Sequence, residues 1–249
     1  MDPFSFAPLA ALLHLVYSLV GGLADLVTPF AGSAAAALAI ILLTVIVRAL
    51  LIPVSVSQVK AEWHRRRIAP KLKALQDKYK AKPQLLQEKT MALYKAENVS
   101  PFAGFLPTLL QAPVVSLVYA LFLHPTIAGQ ANTLLTAPLG PVTLGSSVVT
   151  AGWPGILVWL AILAIMAVVA WLSRRTALRL ALPGTDATGM LPRVLSWLPF
   201  LSVAFAAFVP LAAALYLATT TAWTLVERAV LRRRYWGDRG VSGVPAAAR

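Results

Sequence analysis

Ala34-Ala-Ala-Ala-Leu-Ala-Ile-Ile-Leu-Leu-Thr-Val-Ile-Val-Arg-Ala-Leu-Leu-Ile-Pro53 is the stretch on which the fold turns. Without Arg48 it is long enough to cross a bilayer, which takes about 20 apolar residues. A guanidinium inside such a segment costs from about 2.5 kcal/mol to well over 10, depending on how the lipid and water adapt. It survives only where it faces a protein interior, a wet cavity or the headgroups. A very basic, helix-periodic segment follows Pro53 directly, so the apolar stretch ends at a membrane surface.

The rest of the chain has the composition of a polytopic helical membrane protein. Hydrophobic residues make up 59% and charged residues 12%, with a mean hydropathy of +0.75. Soluble domains sit well below that apolar fraction. The ten-residue alternation of a membrane β-barrel is absent. The chain has no cysteine, which excludes disulfides, thiolate metal sites, a cysteine nucleophile and a lipid anchor on cysteine.

Charge distribution sets the topology. Every Lys and Arg except Arg48 falls in Lys60–Lys95, Arg174–Arg193 or Arg228–Arg249, and residues 1–47 and 96–173 carry none. The positive-inside rule assigns the three blocks to the cytoplasm and the bare stretches to the bilayer or the outside. The N-terminus lacks a basic leader and a small-residue cleavage site, so neither a cleaved signal peptide nor a transit peptide is expected. A bacterial plasma membrane, with N-terminus outside and C-terminus cytoplasmic, fits this pattern.

These signals predict an all-α protein with five transmembrane helices around an inward-open hydrophilic groove, plus a cytoplasmic helical hairpin. Residues 1–30 read as an amphipathic segment on the outer interface, with a transmembrane passage of 4–27 as the alternative. Span 1 covers 31–57. The hairpin covers 58–100, with one apolar stripe through Val59, Trp63, Ile68, Leu72, Leu75 and Tyr79, and a second through Leu86, Thr90, Leu93 and Glu97. Span 2 is 101–124, an uncharged outer loop 125–152, span 3 153–172 and a cytoplasmic loop 173–191. Spans 4 and 5 are 192–208 and 211–230, and 231–249 is a basic cytoplasmic tail.

Enzymatic signatures are missing. His14, His64 and His124 lie in different segments, and no H-E-x-x-H, P-loop or nucleophile elbow occurs. No enzyme activity, cofactor or metal is expected. Arg48 is therefore the central candidate. It lies 12 residues before Lys60, or about 18 Å along a continuous helix, too deep for comfortable snorkelling. Polar residues able to line a wet cavity around it are Thr44, Ser55, Thr108, Gln111, Ser116, Ser202, Tyr216 and Thr219-Thr220-Thr221. The basic residues Arg65, Arg66, Arg67, Lys71, Lys73, Arg232, Arg233 and Arg234 are candidates for docking a partner; a merely solvated charged face is the other reading.

At these residues the chain resembles the YidC family of membrane protein insertases. The resemblance rests on Val47-Arg48-Ala-Leu-Leu-Ile-Pro53, on Met91-Ala-Leu-Tyr94-Lys95, and on Leu106-Pro107-Thr-Leu-Leu-Gln111-Ala-Pro113 with Leu117-Val-Tyr119. Leu191-Pro192, Leu198-Pro199-Phe200 and Leu215-Tyr216 resemble its last two spans. It departs from the family at Pro210-Leu211-Ala212, where Pro-x-Gly is frequent, and at Leu217, where a second aromatic is frequent. The resemblance implies an insertase and folding factor with a substrate groove at Arg48, Thr44, Thr108, Gln111, Ser116 and Tyr216. It implies nascent membrane proteins, the ribosome, the Sec translocon, a targeting receptor and membrane lipids as partners, and action as a monomer. A small anion transporter or channel binding its ion at Arg48 is the competing class; five unduplicated spans and the cytoplasmic hairpin weigh against it.

Overall fold

The computed structural model describes residues 7–98, 100, 116–117, 119–127, 129–180 and 194–236. Helix α1 (Ala7–Ala31) is followed by a 3₁₀ turn (Gly32–Ala34), α2 (Ala35–Leu50), α3 (Ile52–Tyr79) and α4 (Pro83–Ala96). Two short antiparallel hairpins, β1 (Thr126–Ile127) with β2 (Gln130–Ala131) and β3 (Pro138–Leu139) with β4 (Val142–Thr143), flank the one-turn helix α5 (Thr133–Thr136). Then come α6 (Gly152–Arg179), α7 (Leu198–Ala206) and α8 (Leu211–Trp236). Among the described residues, Pro8–Leu50 and Gly152–Arg179 are long and apolar enough to cross a membrane. Helix α6 has 28 residues with a break at Trp153 (φ −95°, ψ 127°), and the continuous helix after it rises about 39 Å against a hydrocarbon core of about 30 Å.

The chain divides into two compact units. Unit 1 comprises Met1–Leu50, Gln111–Arg174 and Trp197–Leu225; unit 2 comprises Leu51–Leu110, Arg175–Ser196 and Val226–Arg249. Unit 1 packs through small residues. Ala36, Ala37 and Ala39 on α2, and Ala212, Ala213 and Ala214 on α8, are all buried. Alanine faces let helix backbones approach closely where lipid supplies no hydrophobic drive between helices. The outer face of α6 is apolar as well, with Leu157, Leu160, Ile165 and Val168 each more than half exposed. Such a surface suits contact with lipid.

Helix α1 has three faces. Leu13 and Val20 are buried in the unit 1 core, Leu12, Leu15, Leu19 and Leu26 are exposed, and His14, Ser18 and Asp25 are exposed on a third side. At 3.6 residues per turn these sets sit about 120° apart.

The stretch read as one span from 31 to 57 is interrupted at Leu51 (φ −87°, ψ 0°), with Pro53 in the first turn of the next helix. Proline disfavours helical geometry just before it and is at home in a first turn. The depth of about 18 Å for Arg48, which presumes an unbroken helix, is therefore an upper bound. Helix α7 has only 9 residues, shorter than the span expected over 192–208.

In unit 2 every position of the predicted stripes is shielded, alongside others such as Ser55 and Ala61. Val59 and Ile68 are buried and Trp63, Leu72, Leu75 and Tyr79 half-buried on α3, as are Leu86, Thr90, Leu93 and Glu97 along α4. Pro70 lies inside α3 and has no amide to give the Arg66 carbonyl. Ile68 is the last buried residue before it.

Candidate functional site

Arg48 occupies the last turn of α2, where the unpaired carbonyls and the helix dipole favour a cation. It is half-buried. Among the described residues no carboxylate pairs with it. Thr44, one turn earlier and adjacent on the helix surface, is buried. Its hydroxyl donates to the Ile40 carbonyl at 2.7 Å, so it offers only acceptor capacity to anything else.

The other predicted groove residues are placed unevenly. Tyr216 is buried with its ring 6.2 Å from that of Phe122. Ser116 is exposed. Thr108 and Gln111 lie outside the described residues. Within this set Thr44 and Arg48 share one flank of α2, one turn apart.

Unit 1 also holds polar atoms that sequence reasoning missed or did not single out. Tyr119 OH, Trp159 Nε1, Thr220 Oγ1 and Trp223 Nε1 are buried and have no hydrogen-bond partner among the described residues. On α8 the neighbouring hydroxyls are satisfied locally: Thr219 donates to the Leu215 carbonyl, Thr221 to Leu217 and Thr224 to Thr220, each at 2.8 Å. Thr220 and Trp223, three residues apart on one face, are the exceptions. An unmet buried donor costs about 1–3 kcal/mol unless water or a bound polypeptide supplies the acceptor. The signal in the sequence was a tryptophan in mid-helix, one turn from a threonine triplet.

Unit 2 gathers the basic residues around one acid. Arg232 donates to Glu62 through Nε at 3.3 Å and Nη2 at 3.1 Å. Arg66 lies 3.6 Å from the same carboxylate and donates to the Leu180 carbonyl. The Trp236 ring takes both guanidiniums, Arg66 at 4.8 Å and Arg232 at 5.4 Å from its centroid, and its Nε1 donates to the Val59 carbonyl at 3.4 Å. Lys60 lies over Tyr235 at 5.2 Å. Burial pulls the Arg66 guanidinium below its ordinary value, and the nearby Glu62 charge opposes that shift. A second clasp joins α3 to the end of α4: Arg67 donates to Glu97 at 2.8 Å, and Lys71 donates to the other carboxylate oxygen.

The residues assigned to docking therefore fall into two sets. Arg66, Arg67, Lys71 and Arg232 are engaged within unit 2, whereas Arg65, Lys73, Arg233 and Arg234 are exposed.

The sequence profile of the 60Kd inner membrane protein family matches residues 27–238. Relatives named membrane protein insertase YidC include one from Clostridium perfringens, 33% identical over 115 residues, 46% of this chain and 48% of the relative. One from Helicobacter pylori is 47% identical over 81 residues, 32% of this chain and 15% of the relative. One from Burkholderia cenocepacia is 38% identical over 92 residues, 36% of this chain and 17% of the relative. The aligned stretches thus span about half of the first relative's length and less of the others. With the family profile covering the chain from before α2 to the end of α8, this protein belongs to the 60Kd inner membrane protein family, as a member of the YidC group.

Proposed function

We propose that this chain is a bacterial membrane protein insertase, taking apolar segments of nascent proteins into the plasma membrane through a groove centred on Arg48. The observation that carries the reading is Arg48 itself, half-buried at the end of an apolar helix and without a carboxylate partner among the described residues. A fixed structural arginine in so apolar a setting would hold a fixed acid. One without such an acid is free to attract a passing carboxylate. The unmet donors of Trp159, Thr220 and Trp223 point the same way, since they need acceptors that water or a peptide backbone would bring.

The mechanism follows from partitioning. A substrate's acidic, translocated end meets Arg48 and crosses only the remaining apolar distance unaided. Its hydrophobic helix then leaves sideways into lipid, driven by about 25 cal/mol per Å² of apolar surface removed from water. Five spans with the N-terminus outside complete this reading, with α1 lying along the outer interface. Its three faces suit that position: one for the protein, one for lipid and one, with His14, Ser18 and Asp25, for water. Exposed Arg65, Lys73, Arg233 and Arg234 would meet the ribosome or a targeting partner.

Protease-protected insertion of paired substrates differing only in tail charge tests the site. Arg48→Lys retains most insertion, because a mobile carboxylate needs a charge and not a bidentate fork. Arg48→Ala fails for acidic tails and spares neutral ones. Equal loss for both tails would show that Arg48 maintains the shape or hydration of the groove. An anion carrier would lose ion flux and keep insertion. Cysteines at Val149 and Lys80, both exposed, report topology: impermeant reagent on intact cells labels the first and spares the second.

A further inference from the structure

We infer that Asn132 is the positioning residue of a folded seal, made by the uncharged loop, that closes unit 1 at the end opposite the cytoplasm. The inference rests on the topology proposed above. Residues 125–152 have the Gly, Pro, Ser and Thr content of a linker, yet Ile127, Leu134, Val142 and Leu144 are buried in the unit 1 core.

Asn132 is 3% exposed, and all its polar groups are used. Its side-chain nitrogen donates to the Leu121 carbonyl at 2.8 Å and to the His124 carbonyl at 3.0 Å. These belong to the carboxyl end of the helical segment through residues 119–123, where carbonyls lack helical partners. Its Oδ1 accepts from the Leu134 amide at 3.2 Å, capping α5. Its own amide donates to the Pro125 carbonyl at 2.8 Å, and its carbonyl accepts from the Leu135 amide at 3.2 Å.

What Asn132 holds in place then closes a second helix. The Gly145 amide donates to the Leu135 carbonyl, one turn beyond Asn132, at 2.6 Å. A Cβ at Gly145 would stand 2.8 Å from that same oxygen, so only glycine permits the approach. On either side of Gly145 the carbonyls of Leu144 and Ser146 accept from the Ala212 and Leu211 amides at 2.8 and 2.9 Å. These are the first amides of α8, and Leu211, Ala212, Ala213 and Ala214 are each 0% exposed. A buried helix start with no acceptors would be a costly defect; the loop removes it. One side chain thus links the end of one helix to the start of another without any charge. That suits a barrier that must exclude ions beside a wet groove.

Asn132→Asp tests this, because it keeps the acceptor for Leu134 and replaces the donors with an anion facing two carbonyls. The chain has no cysteine, so single reporters are clean. Leu144→Cys, at a position 0% exposed, reports the seal, and Leu43→Cys, in the α2 core, reports the whole unit. Impermeant maleimide on intact cells labels Leu144→Cys about tenfold faster or more in the Asn132→Asp background, the scale expected from losing donor bonds to a buried site. Leu43→Cys stays unreactive, and vesicles holding the purified protein leak potassium. If Asn132→Asp fails to accumulate, Asn132→Ser gives the same readings in weaker form, since a hydroxyl keeps the α5 cap but cannot reach both carbonyls. An unlabelled Leu144→Cys, tight vesicles, or equal labelling at both reporters overturns the inference. No reading involves a substrate, so a failed seal leaves insertion standing, and failed insertion leaves the seal standing.

Discussion

The loop between residues 125 and 152 is fastened by uncharged groups, namely backbone carbonyls, the Asn132 amide and the Tyr17 hydroxyl on Thr133, whereas the base of the basic hairpin is fastened by guanidiniums, carboxylates and an indole. Neither is read from local propensity, since each joins segments far apart in the chain: Asn132 to Leu121 and, through Gly145, to Leu211; Glu62 to Arg232 and Arg66 to Leu180. The difference lies in what each can respond to. Neutral hydrogen bonds shielded from water respond little to salt or pH. Ion pairs at partly exposed groups are weakened by salt and exchange partners at little cost. If the chain works as the insertase proposed above, the first chemistry suits a part that must stay shut and the second a part that must yield when a partner docks.

The largest expected effect breaks the loop sterically. A Cβ at Gly155 would lie 2.3 Å from Val142 Cγ1, and Val142 is buried in the core. Gly155→Val should cost about 2–3 kcal/mol, the upper part of the usual range of about 1–3 for overpacking. Thermal unfolding of the purified protein in detergent checks this, and the loss should be the same at low and high salt. A salt-dependent loss would mean that the loop is held by charges after all.

Next comes Glu62→Gln, which leaves Arg66 and Arg232 beside one another with no counter-charge. The side chains are 16–31% exposed, so the cost falls between surface and buried pairs, about 1–2 kcal/mol at low salt. It should shrink markedly near 1 M salt, where the screening length is about 3 Å. Loss of stability that ignores salt would show that packing on Trp236, and not charge, holds the base together.

Smaller still are the effects of reversing the free cations. Arg65→Glu and Arg233→Glu should change stability by less than about 0.5 kcal/mol, as surface changes do, while lowering insertion if these residues dock a partner. Arg66→Glu should destabilise the hairpin base outright. Equal stability for all three would abolish the distinction between fastening and docking arginines.

Arg65-Arg66-Arg67 shows where the sequence stops being legible. Helical periodicity located α3 and α4 and their shielded stripes, because burial leaves a period of 3.6 residues in the apolar pattern. Charge blocks separate the segments expected outside the bilayer from those expected within it, because the membrane penalises charge. Three consecutive arginines look alike, however, and the helix sends them about 100° apart: one to solvent, one to Trp236 and Glu62, one to Glu97. Their roles depend on partners from distant segments, which no local pattern encodes. The same holds for Asn132, one polar residue in a loop of polar composition. Pro53 did announce the break after Leu51, but an apolar run on both sides made the stretch read as one helix.

Glu97 gives the smallest and most selective prediction. Its carboxylate accepts from Lys71 and Arg67: the Lys71 bond is the largest influence, desolvation opposes it, and the Arg67 bond and the two cationic charges bring its pKa below the ordinary carboxylate value. A depressed folded value means that the clasp contributes at every pH above the ordinary value of about 4.3, and fades as pH falls through the depressed value. It therefore does not titrate between pH 5 and 8. The carboxylate is solvent-accessible, so the effect is local: Glu97→Gln should raise proteolysis near Asn98, which has a positive φ of 51°, by no more than a few-fold at neutral pH. The difference between variant and wild type should vanish in acid, because protonation turns the wild type into the variant's equivalent. The loop at 125–152 has no titratable side chain, and labelling of Leu144→Cys should be flat over the same range once corrected for the reagent's own pH dependence. Were Glu97→Gln to differ equally at all pH values, the clasp would be a matter of shape and not of charge, and the contrast between the two regions would stop at Glu62.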